Sequence, residues 1–222
     1  MTRSVPRILA VDVCGTLYDA NTTAGLVMFH HARLGHRWRH AALSTISRRG
    51  VLRASLVALA KITRFDAHRA LVMASLRGEN LSSLRASAKC YVSDHLPARA
   101  IPATHARVDQ MRAAGWQPVL VSNALSPVIA EIARQIDLPF IASEPAHRAG
   151  RLTGRLARDL TGQKRKAVEA YLDRPLDAVE FAVITDNRSD RDLVAAANPA
   201  VLVAAGHPRK WMRDWDAETL CH

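Results

Sequence analysis

The sequence predicts an α/β fold, a doubly wound parallel sheet with a helical segment inserted after its first strand. Three observations predict it. Short apolar runs of strand length alternate with helical patterns of about 10–15 residues. Residues 20–95 break that rhythm, keeping helical periodicity without a strand-like run. The chain has 222 residues, 49% of them hydrophobic, which is enough to bury a core and too apolar for a disordered chain.

The first run, RILAVDV at residues 7–13, stops at Cys14-Gly15-Thr16, as a buried parallel strand does at a turn. The inserted segment follows. Its helices are expected over residues 23–34, 51–63, 66–76 and 81–95, with Gly35, Gly50 and Gly78 as punctuation. Residues 104–114 then read as a helix closed by Gly115, residues 118–121 as a strand, 123–126 as a turn and 127–136 as a helix. Further strands are expected at 181–185 and 200–203. Residues 1–19 and 96–222 would thus form an α/β core domain and residues 20–95 a helical cap.

Charge is the strongest compositional signal: 31 Lys and Arg face 20 Asp and Glu, a net +11 with pI near 10.5. It is locally concentrated, because residues 20–65 contain no acid but hold Arg33, Arg37, Arg39, Arg48, Arg49, Arg53, Lys61 and Arg64. A positive lid over an anion-binding pocket is the reading this favours. Residues 51–62 have the spacing of an interfacial helix, so peripheral membrane contact is a weaker alternative to ordinary helix packing. Trp38 beside Arg39, and Lys210 beside Trp211, belong to no recognised DNA or RNA module, and specific nucleic-acid binding is not expected. No apolar run approaches the ~20 residues of a membrane span. Cys14, Cys90 and Cys221 are too scattered for a disulfide framework or zinc knuckle, which fits a reducing, cytoplasmic compartment.

The polar residues at the strand ends carry the chemistry. Asp12, followed by a Gly15-Thr16 turn whose backbone N–H groups could face an anion, suits a nucleophile toward phosphorus or a metal ligand. Ser122 and Asn123 close the second strand, where they would hydrogen-bond anionic oxygens. Lys164 or Lys166, opening a helix after Gly162, would neutralise a phosphoryl group. Asp186 and Asp190 sit on a strand-to-helix turn, and their hard oxygens suit Mg²⁺.

In order and spacing these groups resemble the haloacid dehalogenase superfamily over nearly the whole chain. The inserted cap and the segments SLRGENLSSLRASA, VSNALSPVIAEIA and ASEPAHRAGRLTG look like its phosphoserine-phosphatase-like branch. The resemblance implies a Rossmann-like core and a Mg²⁺-dependent phosphatase working through an aspartyl-phosphate on a small phosphorylated metabolite. By it Asp12 is the nucleophile, Ser122 holds phosphoryl oxygens, Lys164 rather than Lys166 screens charge, and Asp12, the Cys14 backbone carbonyl, Asp186 and Asp190 serve the metal.

The departure is Cys14, where the family's phosphatases carry a second Asp as general acid and base. A thiol with a reference pKa near ~8.5 donates a proton but is mostly no base at neutral pH, and losing such a group costs ~10²–10⁴-fold. Three explanations stand: a substrate with a good leaving group, such as an acyl phosphate or a diphosphate; a proton from His30, His31 or His36; or a protein that binds phosphate and turns over slowly. Dehalogenation, which in the family needs no metal, and phosphonatase chemistry, which needs a cap lysine such as Lys61 or Lys89, fit less well. Phosphoserine itself is disfavoured, because Asn21 and Val72 stand where its phosphatases carry an acid for the amine and an Arg for the carboxylate, although Arg69 is close. Asn21, Thr22 and Thr23 read either as neutral groups for a hydroxyl-bearing substrate or as a helix N-cap.

Overall fold

The computed structural model describes residues 5–47 and 67–222. The expected helix at 51–63, with Arg48, Arg49, Arg53, Lys61 and Arg64, lies outside them.

Seven strands form one sheet in the order β4-β3-β2-β1-β5-β6-β7. They are β1 (Arg7–Val11), β2 (Gln117–Leu125), β3 (Phe140–Arg148), β4 (Arg151–Arg158), β5 (Glu180–Thr185), β6 (Ala200–Ala204) and β7 (Glu218–Cys221). All neighbours are parallel except β3 and β4, which form an antiparallel hairpin at one edge. The described helices are α1 (Thr22–Arg33), α2 (Arg37–Ser47), α3 (Ala67–Ser75), α4 (Leu81–Asp94), α5 (Pro102–Ala113), α6 (Ser126–Ile136), α7 (Lys164–Leu172) and α8 (Arg191–Ala196).

The apolar runs read as they do because both faces of the sheet are covered. Leu9 and Val11 of β1 point into a cluster with Met111 of α5 and Ile129 of α6, while Ile8 and Ala10 point into a second cluster with Val168 of α7 and Leu193 of α8. The inserted helices share the first of these clusters, since Leu26, Met73, Leu84 and Val92 belong to it together with Leu120. Each such side chain contributes roughly 1.5–3 kcal/mol on full burial, so α1, α3 and α4 are held against the sheet by the same apolar force that holds the sheet together.

Several elements differ from expectation. The strand at 118–121 runs on to Leu125 through the expected turn, because its pairing with β3 shifts between Ser122 and Leu125 and the extra residues are absorbed as a bulge. Helix α2 was not expected; it is basic, and the Trp38 ring is exposed with the Arg39 guanidinium 5.2 Å from its centre. The β3–β4 hairpin and β7 were also not foreseen: β3 buries Ile141, Ala142 and Ser143 before polar residues follow, β4 is mostly exposed and β7 fully buries none of its residues, so none of them shows a long apolar run. Among the described residues no helix is long and apolar enough to cross a membrane.

Candidate active site

Strand β1 lies between β2 and β5, so the chain leaves it for opposite sides of the sheet and a crevice opens at its carboxyl end. Asp12 follows β1 and its N–H donates to Ile184 O of β5 at 2.9 Å. Ser122 lies in β2, and Asp186 follows β5. Lys164, the first residue of α7, comes from another part of the chain, and its Nζ sits 2.8 Å from Asp12 Oδ1 and 2.7 Å from Asp190 Oδ2. Lys166 is exposed, which settles the choice between the two lysines as partner of Asp12.

The electrostatics follow from burial. The Asp12 carboxyl is pushed up to about 6, chiefly by desolvation, with Lys164 pulling it down and Asp190 and Asp186 adding to the rise. Desolvation alone would lower Lys164, but Asp12 and Asp190 more than offset it and hold the ammonium above its ordinary range. Burial also raises Asp186, against the Thr16 hydroxyl, Arg209 and Lys164. The Cys14 thiol is raised by burial first and by Asp12 second, while its bond to Thr22 Oγ1 at 3.0 Å opposes the shift. Cys14 is therefore a protonated thiol at neutral pH.

The Gly15-Thr16 turn does not do what its sequence predicted. The Gly15 N–H donates to Tyr18 O at 2.8 Å and the Thr16 N–H to Val13 O at 3.3 Å, so the turn itself consumes donors expected to face an anion. Both residues act on Asp186 instead. Thr16 Oγ1 donates to Asp186 Oδ1 at 3.2 Å and accepts from the Asp186 N–H at 3.0 Å. Gly15, at φ +77°, lets that carboxylate lie against its Cα, where an added Cβ would fall 2.5 Å from Asp186 Oδ2.

Three carboxylates, Asp12, Asp186 and Asp190, thus face one buried cation, Lys164, and the hard oxygen donors and surplus negative charge fit a divalent cation such as Mg²⁺. Asp186 is the more available of the last two. Asp190 already accepts from Lys164 and Thr185 Oγ1 on Oδ2 and from Ser189 Oγ on Oδ1.

A pocket of about 650 Å³ opens above these groups, with Cys14, Gly15, Asn123, Asp186 and Arg209 in its wall. Ser122 is almost fully buried and its Oγ accepts from the Ala124 N–H at 3.2 Å, leaving its own proton to give. Asn123 Oδ1 is buried with no hydrogen-bond partner. Asn21, also in the wall, caps α1 through its Oδ1 and the Ala24 N–H at 3.0 Å, while Thr22 bonds Cys14 and Thr23 Oγ1 accepts from the Leu125 N–H at 3.1 Å. Of the trio only Asn21 caps the helix, and it does so from the pocket wall.

A family model described as haloacid dehalogenase-like hydrolase matches residues 9–195. The chain belongs to the haloacid dehalogenase-like hydrolases. No curated protein matches it by sequence. Among solved structures, a protein of unknown function from Bordetella pertussis Tohama I superposes with TM-score 0.74 at 20% identity, over 97% of this chain and 99% of that one. A HAD family hydrolase from Salmonella enterica serovar Typhi gives 0.64 at 14%, over 99% and 69%. A phosphoserine phosphatase, solved as a phospho-aspartyl intermediate analogue, gives 0.63 at 12%, over 98% and 93%. At these identities the likeness is one of fold.

In this haloacid dehalogenase-like hydrolase the expected lid differs from its sequence reading. Of the described cations in the acid-free stretch, Arg33 and Arg39 turn to Ser87 and Glu79, and neither they nor Arg37 line the pocket. Among the described residues, the basic ones that do are His68, Arg69, Arg99 and Arg209. His30, His31 and His36 are also displaced from the chemistry, because α1 carries them away from Asn21 at ~1.5 Å per residue, and the imidazole at the pocket is His68. Lys89, the described cap lysine proposed for phosphonatase chemistry, is exposed and outside the pocket wall. Arg69 donates to Asn123 O at 2.9 Å and Ser143 Oγ at 3.2 Å and pairs with Asp159 Oδ1 at 3.0 Å, tying α3 to the sheet edge. A lone Arg in a basic segment gives no sequence signal for such a role.

Proposed function

We propose that the protein is a Mg²⁺-dependent phosphohydrolase or phosphotransferase for a small phosphorylated metabolite other than phosphoserine, working through an aspartyl-phosphate on Asp12. The carrying observation is the buried Asp12–Lys164 pair, 2.8 Å apart beside Asp190. It keeps a carboxylate ionised and aimed where an in-line nucleophile belongs.

Asp12 Oδ attacks phosphorus, and the ester oxygen departs with its electron pair. Lys164 balances the charge that develops on the phosphoryl oxygens, and Ser122 donates its hydroxyl proton to one of them. Asp12, Asp186 and the Cys14 carbonyl would hold Mg²⁺ directly, and Asp190 would serve it at one remove by fixing Lys164. When bound, the ion supplies Lewis-acid stabilisation of those oxygens. The unpartnered Asn123 Oδ1 on the pocket wall favours a substrate that brings a hydroxyl or amine donor.

Cys14 limits which leaving groups are served. Its thiol is held protonated and bonded to Thr22, so it cannot act as the base that activates water for dephosphorylation. Acyl and aryl phosphates, whose leaving oxygens need no proton, are the favoured substrates, with His68 on the pocket wall as the imidazole candidate for proton transfer. The same thiol favours a second reading, a phosphate-binding protein with little turnover. A panel of acyl, aryl and alkyl phosphates with Mg²⁺, run on wild type, Asp12→Asn and Cys14→Asp, tests both. Turnover abolished by Asp12→Asn, with alkyl phosphates gained in Cys14→Asp, supports the enzyme. No wild-type turnover and no trapped phosphoenzyme on any substrate supports the binding protein.

A further inference from the structure

We propose a second metal site, for a borderline transition metal such as Zn²⁺, built by His31, His36 and Glu79 at the far end of α1 from the pocket. Their ligand atoms lie within 4.8 Å of one another. His31 Nδ1 and His36 Nδ1 are 3.4 Å apart, and His36 Nδ1 is 3.4 Å from Glu79 Oε1. Two donors held ~2.0–2.1 Å from a tetrahedral ion stand about 3.4 Å apart, so both separations already match the edges of a zinc tetrahedron. Imidazole with one carboxylate suits Zn²⁺ or Co²⁺ and not Mg²⁺, which prefers oxygen.

The backbone makes the site. Gly35, at φ +72°, ends α1 in a left-handed turn, and the His36 N–H returns to His31 O at 2.9 Å. This six-to-one bond folds His36 back over His31. The surrounding groups are those a ligated site needs. Ser75 Oγ donates to Val72 O at 2.7 Å and so accepts from His31 Nε2–H at 3.2 Å, which leaves the His31 Nδ1 lone pair for an ion. The Arg39 guanidinium bonds Glu79 Oε1, fixing the carboxylate, which has lone pairs to spare, and its charge keeps the affinity moderate. An independent observation points the same way. His30 Nε2 is fully buried without a hydrogen-bond partner and stands 3.6 Å from Glu79 Oε2, so a further imidazole lies against the carboxylate that would hold the ion.

The proposal does not rest on phosphatase activity. Zn²⁺ and Co²⁺ are titrated calorimetrically into metal-stripped protein, and the Co²⁺ adduct is read by visible absorption, for wild type, His36→Ala, Glu79→Gln and Asp186→Asn. His36 is partly exposed, and Glu79→Gln keeps the shape of the side chain, so the fold survives at least one of these changes. The expected result is one equivalent of tetrahedral Co²⁺ in wild type and Asp186→Asn, with affinity weakened at least ~10-fold in His36→Ala and Glu79→Gln. Equal affinity in wild type and both cap variants, loss in Asp186→Asn alone, or no wild-type binding tighter than ~1 mM would overturn it.

Discussion

Asp12 Oδ1 and Lys164 Nζ meet at 2.8 Å with both side chains at most 5% exposed, and the lysine's second partner, Asp190, is equally buried. One cation therefore compensates two carboxylates away from water. Removing it should cost both fold and function. Lys164→Gln is expected to lose activity and about 3–5 kcal/mol of stability, the usual cost of stranding buried charge. Urea unfolding at neutral pH checks this, and an unchanged midpoint would refute it.

The raised Asp12 carboxyl predicts the acid limb of the pH profile. Attack needs the carboxylate and a bound Mg²⁺ favours that form, so the acid limb of kcat/KM for an aryl phosphate should lie below pH about 6 and move up toward it as Mg²⁺ is made limiting. The effect on folding has the opposite sense. A carboxyl whose native pKa exceeds its unfolded value binds more protons when folded, so its contribution to stability declines as pH rises from about 4 to about 6. Rate profiles and urea midpoints across that window measure the two.

Gly15→Ala tests the seat of Asp186. The new Cβ meets Asp186 Oδ2 at 2.5 Å, and φ +77° strains any L side chain, so the carboxylate must move. A stability loss of ~1–2 kcal/mol is expected, together with at least a tenfold rise in the Mg²⁺ needed for half-activation. Magnesium titration of the variant's activity decides it; an unaltered requirement would show that Asp186 does not hold the ion.

Thr23→Val tests how α1 is joined to the bulge. Thr23 Oγ1 is the acceptor for the Leu125 N–H at the end of β2. An isosteric valine leaves that buried donor without a partner, which costs ~1–3 kcal/mol. Thermal denaturation reads the loss, and because Asn123 shares the bulge, KM should rise with it.

The legibility of this protein in its sequence follows its burial. The runs ending at Asp12, Ser122 and Asp186 announce themselves because parallel strands covered on both faces must be apolar throughout, which leaves a polar residue conspicuous at the carboxyl end. The β3–β4 hairpin is obscured because residues such as Arg148, Arg151 and Arg158 look like loop composition, and only cross-strand pairing makes them a sheet edge. The basic stretch misled for a related reason: a count of charges says nothing about direction, and Arg39 is spent on Glu79 instead of the pocket.

By itself the sequence determined the order of the chemical groups, the strand ends that bear them and the thiol at position 14, because these are local properties of residue type and periodicity. Only the tertiary structure decided which partners those groups take. Lys164 and Lys166 differ by about 200° around a helix, and the sheet accepts one of them. The Gly15-Thr16 donors are consumed within their own turn, and Asp190 is claimed by Lys164 and Thr185. Hydrogen bonds join groups distant along the chain, and their choice is made by packing, which no local pattern records.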